Sequence, residues 1–123
     1  VALRPKTQPA ALLDCAAATV KAFDTFRAPL TDQDMARRRK ASLTARQEQQ
    51  MRDWSYPFIF DDFRFHLTLS SPLPQVAALR LVKVLNPHLE NIVSNPFMID
   101  AITLMGQDVK GMFHHIQRYA LTG

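Results

Sequence analysis

The segment Phe63–Leu69 constrains the fold most strongly, because apolar and polar residues alternate strictly along it. Successive side chains of a β-strand point to opposite faces, so this pattern predicts a strand with one apolar and one polar face. The polar face carries Arg64, His66 and Thr68, with about 6.5–7 Å between successive members. We expect helices to cover the apolar face and the polar face to border solvent or a ligand.

The remaining sequence predicts an alternation of helices and strands in the order β-α-α-α-β-α-β-β. The expected elements are a strand over Val1–Arg4, a helix that opens at Pro9, a short helix capped by Thr31 and Asp34, helices over Ala45–Trp54 and from Pro74 to about Val93, and strands over Phe97–Met105 and Met112–Leu121. Helices combined with a hairpin favour an α+β fold, in which an antiparallel or mixed sheet has helices packed on one face. The chain has 123 residues, a length that suits one domain.

The positive charge of the chain is concentrated in one stretch. Fifteen Lys and Arg residues against eleven Asp and Glu give a net charge of +4. Residues 27–46 contain six basic and two acidic side chains, so this stretch carries the whole excess. A basic balance of this size suits an anionic ligand such as a phosphate ester.

Several classes of protein are excluded by composition. Cys15 is the single cysteine, which rules out an intrachain disulfide framework and a cysteine-based zinc site. We therefore expect a reducing, cytoplasmic compartment. No apolar run approaches the ~20 residues of a membrane span, so no membrane partner is expected. Because no H-x-x-H, H-E-x-x-H or carboxylate cluster occurs, we expect neither a metal nor another cofactor.

His66 and Thr68 form an H-x-T motif flanked by apolar residues. The upstream segments that accompany it are Phe26–Leu30, Ala36–Arg39, Leu43–Gln47 and Trp54–Pro57. Together they resemble the two-histidine (2H) phosphoesterase superfamily, and most closely its bacterial branch found with phosphonate-metabolism operons. The resemblance extends roughly from Leu3 to Leu121.

The resemblance implies two lobes, each with one H-x-T or H-x-S strand, that face each other across a cleft. A second motif does not occur, because the residues that follow His88, His114 and His115 do not fit the pattern. We therefore expect residues 1–123 to form the C-terminal lobe of such a protein, with its N-terminal lobe absent. The isolated chain should be inactive, since the missing lobe would supply the other histidine.

The resemblance also implies a metal-independent phosphodiesterase that acts on cyclic or linear phosphodiesters, in phosphonate metabolism. Histidine titrates near neutral pH and can act as a general acid or base. We expect His66 to transfer protons and Thr68 to donate a hydrogen bond to a phosphoryl oxygen, while Arg64 and Tyr56 bind substrate. The substrate would be a small phosphate ester or an RNA-derived cyclic phosphate.

Other interpretations stay open at this stage. The polar strand face is also typical of an ordinary half-buried strand. The basic stretch, together with Tyr56, Phe58 and Phe60, would also suit a small RNA- or anion-binding module without catalysis. In a homodimer, two copies of His66 could rebuild a two-histidine site. Residues 37–40 are either a phosphate clamp or a solvated helix, since consecutive helical residues point in different directions.

Overall fold

The fold, described by a computed structural model over residues 1–94 and 96–122, is α+β. In chain order its elements are β1 (Ala2–Leu3), α1 (Ala10–Phe23), α2 (Asp32–Arg38), α3 (Ala45–Trp54), β2 (Leu67–Thr68), α4 (Gln75–Leu89), β3 (Ala101–Gln107) and β4 (Phe113–Ala120). Two antiparallel sheets of two strands each replace the single sheet expected from the sequence: β1 pairs with β2, and β3 pairs with β4. The chain divides into two packing units, residues 1–73 and the residues from Pro74 onwards.

Helices α2 and α3 begin directly after residues whose side chains cap them. Thr31 accepts the backbone N–H of Asp34 at 3.1 Å, which starts α2. Thr44 accepts the N–H of Gln47 at 3.3 Å, and the Gln47 side chain accepts the Thr44 N–H at 3.0 Å. This reciprocal capping box satisfies two N–H groups that a helix leaves without backbone partners.

The core of the first unit lies where α3 meets the loop that follows it. Met51 is 1% exposed, and Pro57 and Ile59 are buried with it. Trp54 is half-buried and meets the Phe60 ring edge-on, with 5.2 Å between ring centroids. The Gln50 side-chain amide donates to the Pro57 carbonyl at 2.7 Å, so the polar group beside the core has a partner. Helix α3 thus docks on this core through Met51 and Trp54.

The alternating segment forms a shorter strand than its pattern predicts, because its partner strand is short. Residues Ala2 and Leu3 pair with Thr68 and Leu67, and Pro5 cannot donate to a ladder. The Gln8 side chain takes the place of a neighbouring strand, since its Oε1 accepts the Phe65 N–H and its Nε2 donates to the Phe63 carbonyl at 3.5 Å. The prediction of a regular strand is therefore wrong for residues 63–66.

The apolar face of this segment is only partly covered. Phe63 and Phe65 are half-buried, whereas Leu67 is 43% and Leu69 is 36% exposed. The expectation that helices cover the whole apolar face is thus wrong for its second half. This follows from the two-residue length of β1 and β2, which gives neighbouring elements little sheet to pack against.

The second unit contains one helix and one hairpin. Helix α4 ends at Leu89, short of the expected Val93, and it passes through Pro87 in its last turn. The hairpin is confirmed, but β3 begins later than predicted, at Ala101, and it ends at Gln107, directly before Asp108 closes the turn. The Asp108 carboxylate accepts the backbone N–H groups of Lys110 and Met112 at 2.8 and 2.9 Å. Among residues 1–94 and 96–122, no helix is long and apolar enough to span a membrane.

Replacement of the buried methionine should show that α3 and its following loop hold the first unit together. We expect Met51→Ala to lower the free energy of unfolding by about 2–5 kcal/mol, because it leaves a cavity in a closed core. Urea denaturation monitored by Trp54 fluorescence measures this. Val109→Ala is the matched control, since Val109 is fully exposed and its truncation removes no packing. Equal losses in the two variants would contradict this description of the core.

Candidate active site

An open groove of about 340 Å³ lies in the first unit, between the loop after α3 and the segment before β2. The residues that line it are Tyr56, Phe58, Asp62, Phe63, Arg64, Phe65 and His66. Four of them are aromatic, so most of the wall is apolar, and the polar groups are few. Three of the residues singled out from the sequence, Tyr56, Arg64 and His66, therefore share one groove. Its volume is at the lower end of the range for small-molecule sites.

The His66 ring is held in one tautomer by a contact within its own segment. Its Nδ1 lies 2.7 Å from the backbone carbonyl oxygen of Arg64, and the side chain is exposed. A carbonyl can only accept a hydrogen bond, so Nδ1 carries the proton. In the neutral ring, Nε2 then holds the lone pair. This ring is therefore arranged to accept a proton at Nε2, or to donate one from Nε2 once it is protonated.

The Arg64 guanidinium is anchored on the wall of the groove by backbone carbonyls. Its Nη1 donates to the carbonyl oxygens of Asp61 and Phe63, both at 2.7 Å. Neither bond uses the donors on Nε and Nη2. The positively charged Arg64 side chain therefore lines the same groove as His66, and its Nε and Nη2 donors are not used by these two bonds.

Thr68 lies in a different setting from the other three predicted residues. It is exposed and belongs to β2, where it is paired with Ala2. Thr68 is outside the set of residues that line the groove. Its role as a phosphate-oxygen donor stays a prediction.

Tyr56 lines the groove from the loop that follows α3, and two neighbours contact its ring. The ring meets Phe58 edge-on at 5.8 Å between centroids, and the Arg38 guanidinium carbon lies 4.7 Å from the Tyr56 centroid. Tyr56 is 43% exposed, so a core-packing role does not account for it. Phe60, by contrast, packs against Trp54 and is not part of the groove lining.

Asp62 also lines the groove, although it lies outside the alternating segment that the sequence singles out. Its carboxylate accepts hydrogen bonds from Arg46 at 2.9 Å, Gln47 at 3.2 Å and Gln50 at 3.0 Å. The Arg46 hydrogen bond is the main reason that the pKa of Asp62 lies below its ordinary value, and the two glutamines act in the same direction. The sequence signal was the polar face that these three residues share on α3.

Several other basic residues of the first unit pair with acidic side chains. Arg27 pairs with Asp24 at 2.8 Å, as expected for an isolated arginine beside an acid. The consecutive arginines at the end of α2 turn in different directions: Arg37 binds Asp34, and Arg39, the residue after the helix, binds Glu48. They do not form a single clamp.

The histidines of the second unit have no arrangement that favours catalysis. The His114 ring donates from Nε2 to the Asp108 carboxylate at 2.9 Å, which braces the hairpin turn. His88 and His115 are exposed. Across residues 1–94 and 96–122, no group of three or more His, Cys, Asp or Glu side chains is placed to hold a metal ion.

A protein-family model matches the whole of the first unit and most of the second. The model of DUF1045, described as a protein of unknown function, matches residues 1–114. The chain belongs to the DUF1045 family. No solved structure matches it.

Two curated relatives of this DUF1045 chain carry the same name, ribose 1,5-bisphosphate phosphokinase PhnN. The protein from Janthinobacterium sp. (strain Marseille) is 36% identical over 106 residues, which cover 82% of this chain and 23% of the relative. The protein from Laribacter hongkongensis (strain HLHK9) is 33% identical over 75 residues, which cover 61% and 17%. The chain thus spans less than a quarter of the length of either relative.

The stability of the first unit should fall in acid through Asp62. Folding lowers the pKa of Asp62, so its stabilising effect is complete above the ordinary aspartate pKa of about 4 and is lost as pH falls through the lower folded-state pKa. We expect Asp62→Asn to be less stable than wild type near pH 6, and the difference to shrink towards pH ~2.

Urea unfolding across this pH range measures the difference. The control is Asp61→Asn, because the Asp61 side chain is 84% exposed and lies 3.5 Å from the same Arg46. This control should lose little stability, since exposed ion pairs contribute little. A difference between Asp62→Asn and wild type that did not change with pH would contradict the assigned role of the carboxylate.

Proposed function

We propose that this chain supplies one half of the active site of a metal-independent phosphodiesterase of the 2H type. The proposal rests mainly on the tautomer of His66 and on its position in the groove. Its Nδ1 is occupied by the Arg64 carbonyl, so its lone pair is at Nε2, and the residue lines a groove of substrate size. An ordinary solvent-facing strand requires neither the groove nor the fixed tautomer.

The chemistry needs two proton transfers at the phosphorus centre. A base removes a proton from water, the water oxygen bonds to phosphorus, and the bond from phosphorus to the leaving oxygen breaks. An acid then gives that leaving oxygen its proton. His66 performs one of the two transfers through Nε2. Arg64 and Thr68 stabilise the negative charge on the non-bridging oxygens, as positively charged and hydroxyl donors do in phosphoryl transfer.

The second proton-transfer group comes from outside the described residues of this chain. In a 2H protein it would be the histidine of the N-terminal lobe. A second copy of the chain, with its own His66, is the alternative source. In the first arrangement the isolated 123-residue chain has little or no turnover, because loss of one general acid or base costs about 10²–10⁴-fold. In the second arrangement the chain has turnover only as a dimer.

The substrate class of the proposal is a phosphodiester of ribose phosphate that arises in phosphonate metabolism. Two kinds of observation support this choice. Both curated relatives are named PhnN, and their name specifies a ribose carrying two phosphates. The groove is small and largely aromatic, with Arg64 and His66 on one wall, which suits a sugar phosphate better than a long polymer.

Binding of RNA or another anion without catalysis is the second candidate function. The exposed aromatic rings of Tyr56 and Phe58, together with the basic side chains in the last turn of α2, favour it. It predicts binding that weakens steeply with salt and no turnover. Turnover that depends on His66 would show that the protein is a catalyst and would rule out binding without catalysis.

The assignment of His66 is tested in the intact protein with a ribose cyclic phosphate as substrate. We expect His66→Ala to lower kcat by about 10²–10⁴-fold and Thr68→Ala by about 10–10³-fold, because each removes a group that acts on the reacting phosphate. His88→Ala is the control, since His88 is an exposed histidine on α4 and should leave kcat unchanged. Full activity of His66→Ala, or an equal loss in His88→Ala, would end the assignment.

A further inference from the structure

Phe60 has a backbone conformation that is unusual for an aromatic residue. Its φ angle is 49°, in the left-handed region, where the Cβ atom of an L-residue lies too close to the following carbonyl oxygen. Glycine, asparagine and aspartate tolerate this region, whereas a bulky side chain there is an outlier. Such a conformation persists only where the surrounding structure holds it in place, and residues that adopt it are concentrated at functional sites.

Two helices hold the Phe60 ring. Trp54, the last residue of α3, meets the ring edge-on with 5.2 Å between the ring centroids. The Lys21 ammonium of α1 lies 5.7 Å from the centroid of the same ring, within the range of a cation–π interaction. The Phe60 side chain is half-buried. Because both contacts are made by the aromatic ring, a side chain without a ring at this position loses them.

Phe60 opens a short helical turn that leads the chain into the wall of the groove. The Ile59 carbonyl accepts the Asp62 N–H at 2.9 Å, and the Phe60 carbonyl accepts the Phe63 N–H at 3.0 Å. Asp62 and Phe63 line the groove, whereas Phe60 lies outside the lining. The backbone angles of Phe60 set the direction in which the chain enters this turn, since peptide groups are rigid planes that rotate only about φ and ψ.

The same turn supplies the two carbonyl groups that hold the Arg64 guanidinium. The Arg64 Nη1 donates to the carbonyl oxygens of Asp61 and Phe63, both at 2.7 Å. Asp61 directly follows Phe60 in the chain, and the Phe63 N–H is bonded to the Phe60 carbonyl. The directions of both acceptor groups therefore depend on the turn that Phe60 opens.

We propose that Phe60 is the positioning residue of Arg64. Its ring, fixed by α1 and α3, keeps the turn in the conformation that places the Arg64 guanidinium in the groove. This inference rests on the proposed function in one respect, that Arg64 binds a phosphate group. Phe60 is outside the groove lining, so its effect on a ligand passes through Arg64.

A purely structural role for Phe60 has different consequences. If the ring only stabilised the fold, its replacement would lower the free energy of unfolding and leave the phosphate affinity of the folded protein unchanged. A positioning role instead predicts weaker phosphate binding by a folded variant, and it predicts that this loss requires Arg64.

The experiment measures the dissociation constant of inorganic phosphate for the intact protein, by NMR titration of the backbone amide signals in a buffer of low ionic strength. The dispersion of the same signals shows whether each variant is folded. We expect Arg64→Met to weaken binding about tenfold, because it removes charge-assisted hydrogen bonds to the anion. Phe60→Leu should weaken binding about fivefold, since Arg64 remains but is no longer held in place.

The double variant decides between the two roles. In the Arg64→Met background, Phe60→Leu should have no further effect on phosphate affinity, because residues that act through one another are not additive. Equal losses from Phe60→Leu in the wild-type and Arg64→Met backgrounds would overturn the proposal, and so would wild-type affinity in Phe60→Leu.

Three single variants make the test specific to the ring of Phe60. Phe60→Tyr keeps the ring and its contacts, so it should bind phosphate as wild type does. Phe60→Gly adopts the left-handed conformation without strain but has no ring to be held, so it should bind as weakly as Phe60→Leu. Wild-type affinity in Phe60→Gly would overturn the role of the ring. Phe26→Leu is the matched control, because Phe26 is 82% exposed in the same unit and should leave the affinity unchanged.

The remaining outcomes separate this inference from the proposed function. Phosphate binding that depends on Phe60 through Arg64, without turnover of a ribose cyclic phosphate, supports the positioning role and overturns the phosphodiesterase. Turnover that depends on His66, with a phosphate affinity that is independent of Phe60, overturns the positioning role and leaves the phosphodiesterase standing. Absence of phosphate binding by wild type overturns the role of Arg64 and that of Phe60 with it.

Discussion

The carboxylate of Asp62 is the interaction on which the first unit's groove depends. Three side chains of α3, Arg46, Gln47 and Gln50, converge on it, and Gln50 also binds the Pro57 carbonyl. These bonds fix both ends of the loop between α3 and the alternating segment. Because the groove wall consists of that loop and that segment, its shape is set by hydrogen bonds to one ionised group more than by a large apolar core.

This construction has an electrostatic consequence for the phosphate site proposed above. A carboxylate in the wall repels a phosphate unless its charge is compensated, and the Arg46 hydrogen bond provides that compensation while it lowers the pKa of Asp62. Asp62 therefore stays ionised near neutral pH and keeps Arg46 occupied. Arg64 is held by backbone carbonyls, which carry no net charge, so its own positive charge is not cancelled. The groove is consequently positive where His66 lies.

The sequence predicts most of the helices and the hairpin, but only part of the site. Caps such as Thr44 and Gln47 act over three residues, so their effect can be read locally. The extent of β2 depends on β1, more than 60 residues away, and on Pro5, so alternation alone overestimated it. Likewise, no local sequence pattern predicts the contact of Arg38 with Tyr56 or the hydrogen bonds of Asp62 with α3. Those contacts form only when α2, α3 and the loop pack together.

The short sheet explains why His66 needs support from its own segment. Residues 63–66 lie outside the β1–β2 ladder, and the side-chain amide of Gln8 binds their backbone at Phe63 and Phe65. A regular ladder would fix the direction of every side chain along a strand, but here it begins only at Leu67. The bond from His66 Nδ1 to the Arg64 carbonyl supplies the missing constraint, because it joins two residues of the same segment. The ring's tautomer is therefore set before any neighbouring strand or ligand contributes.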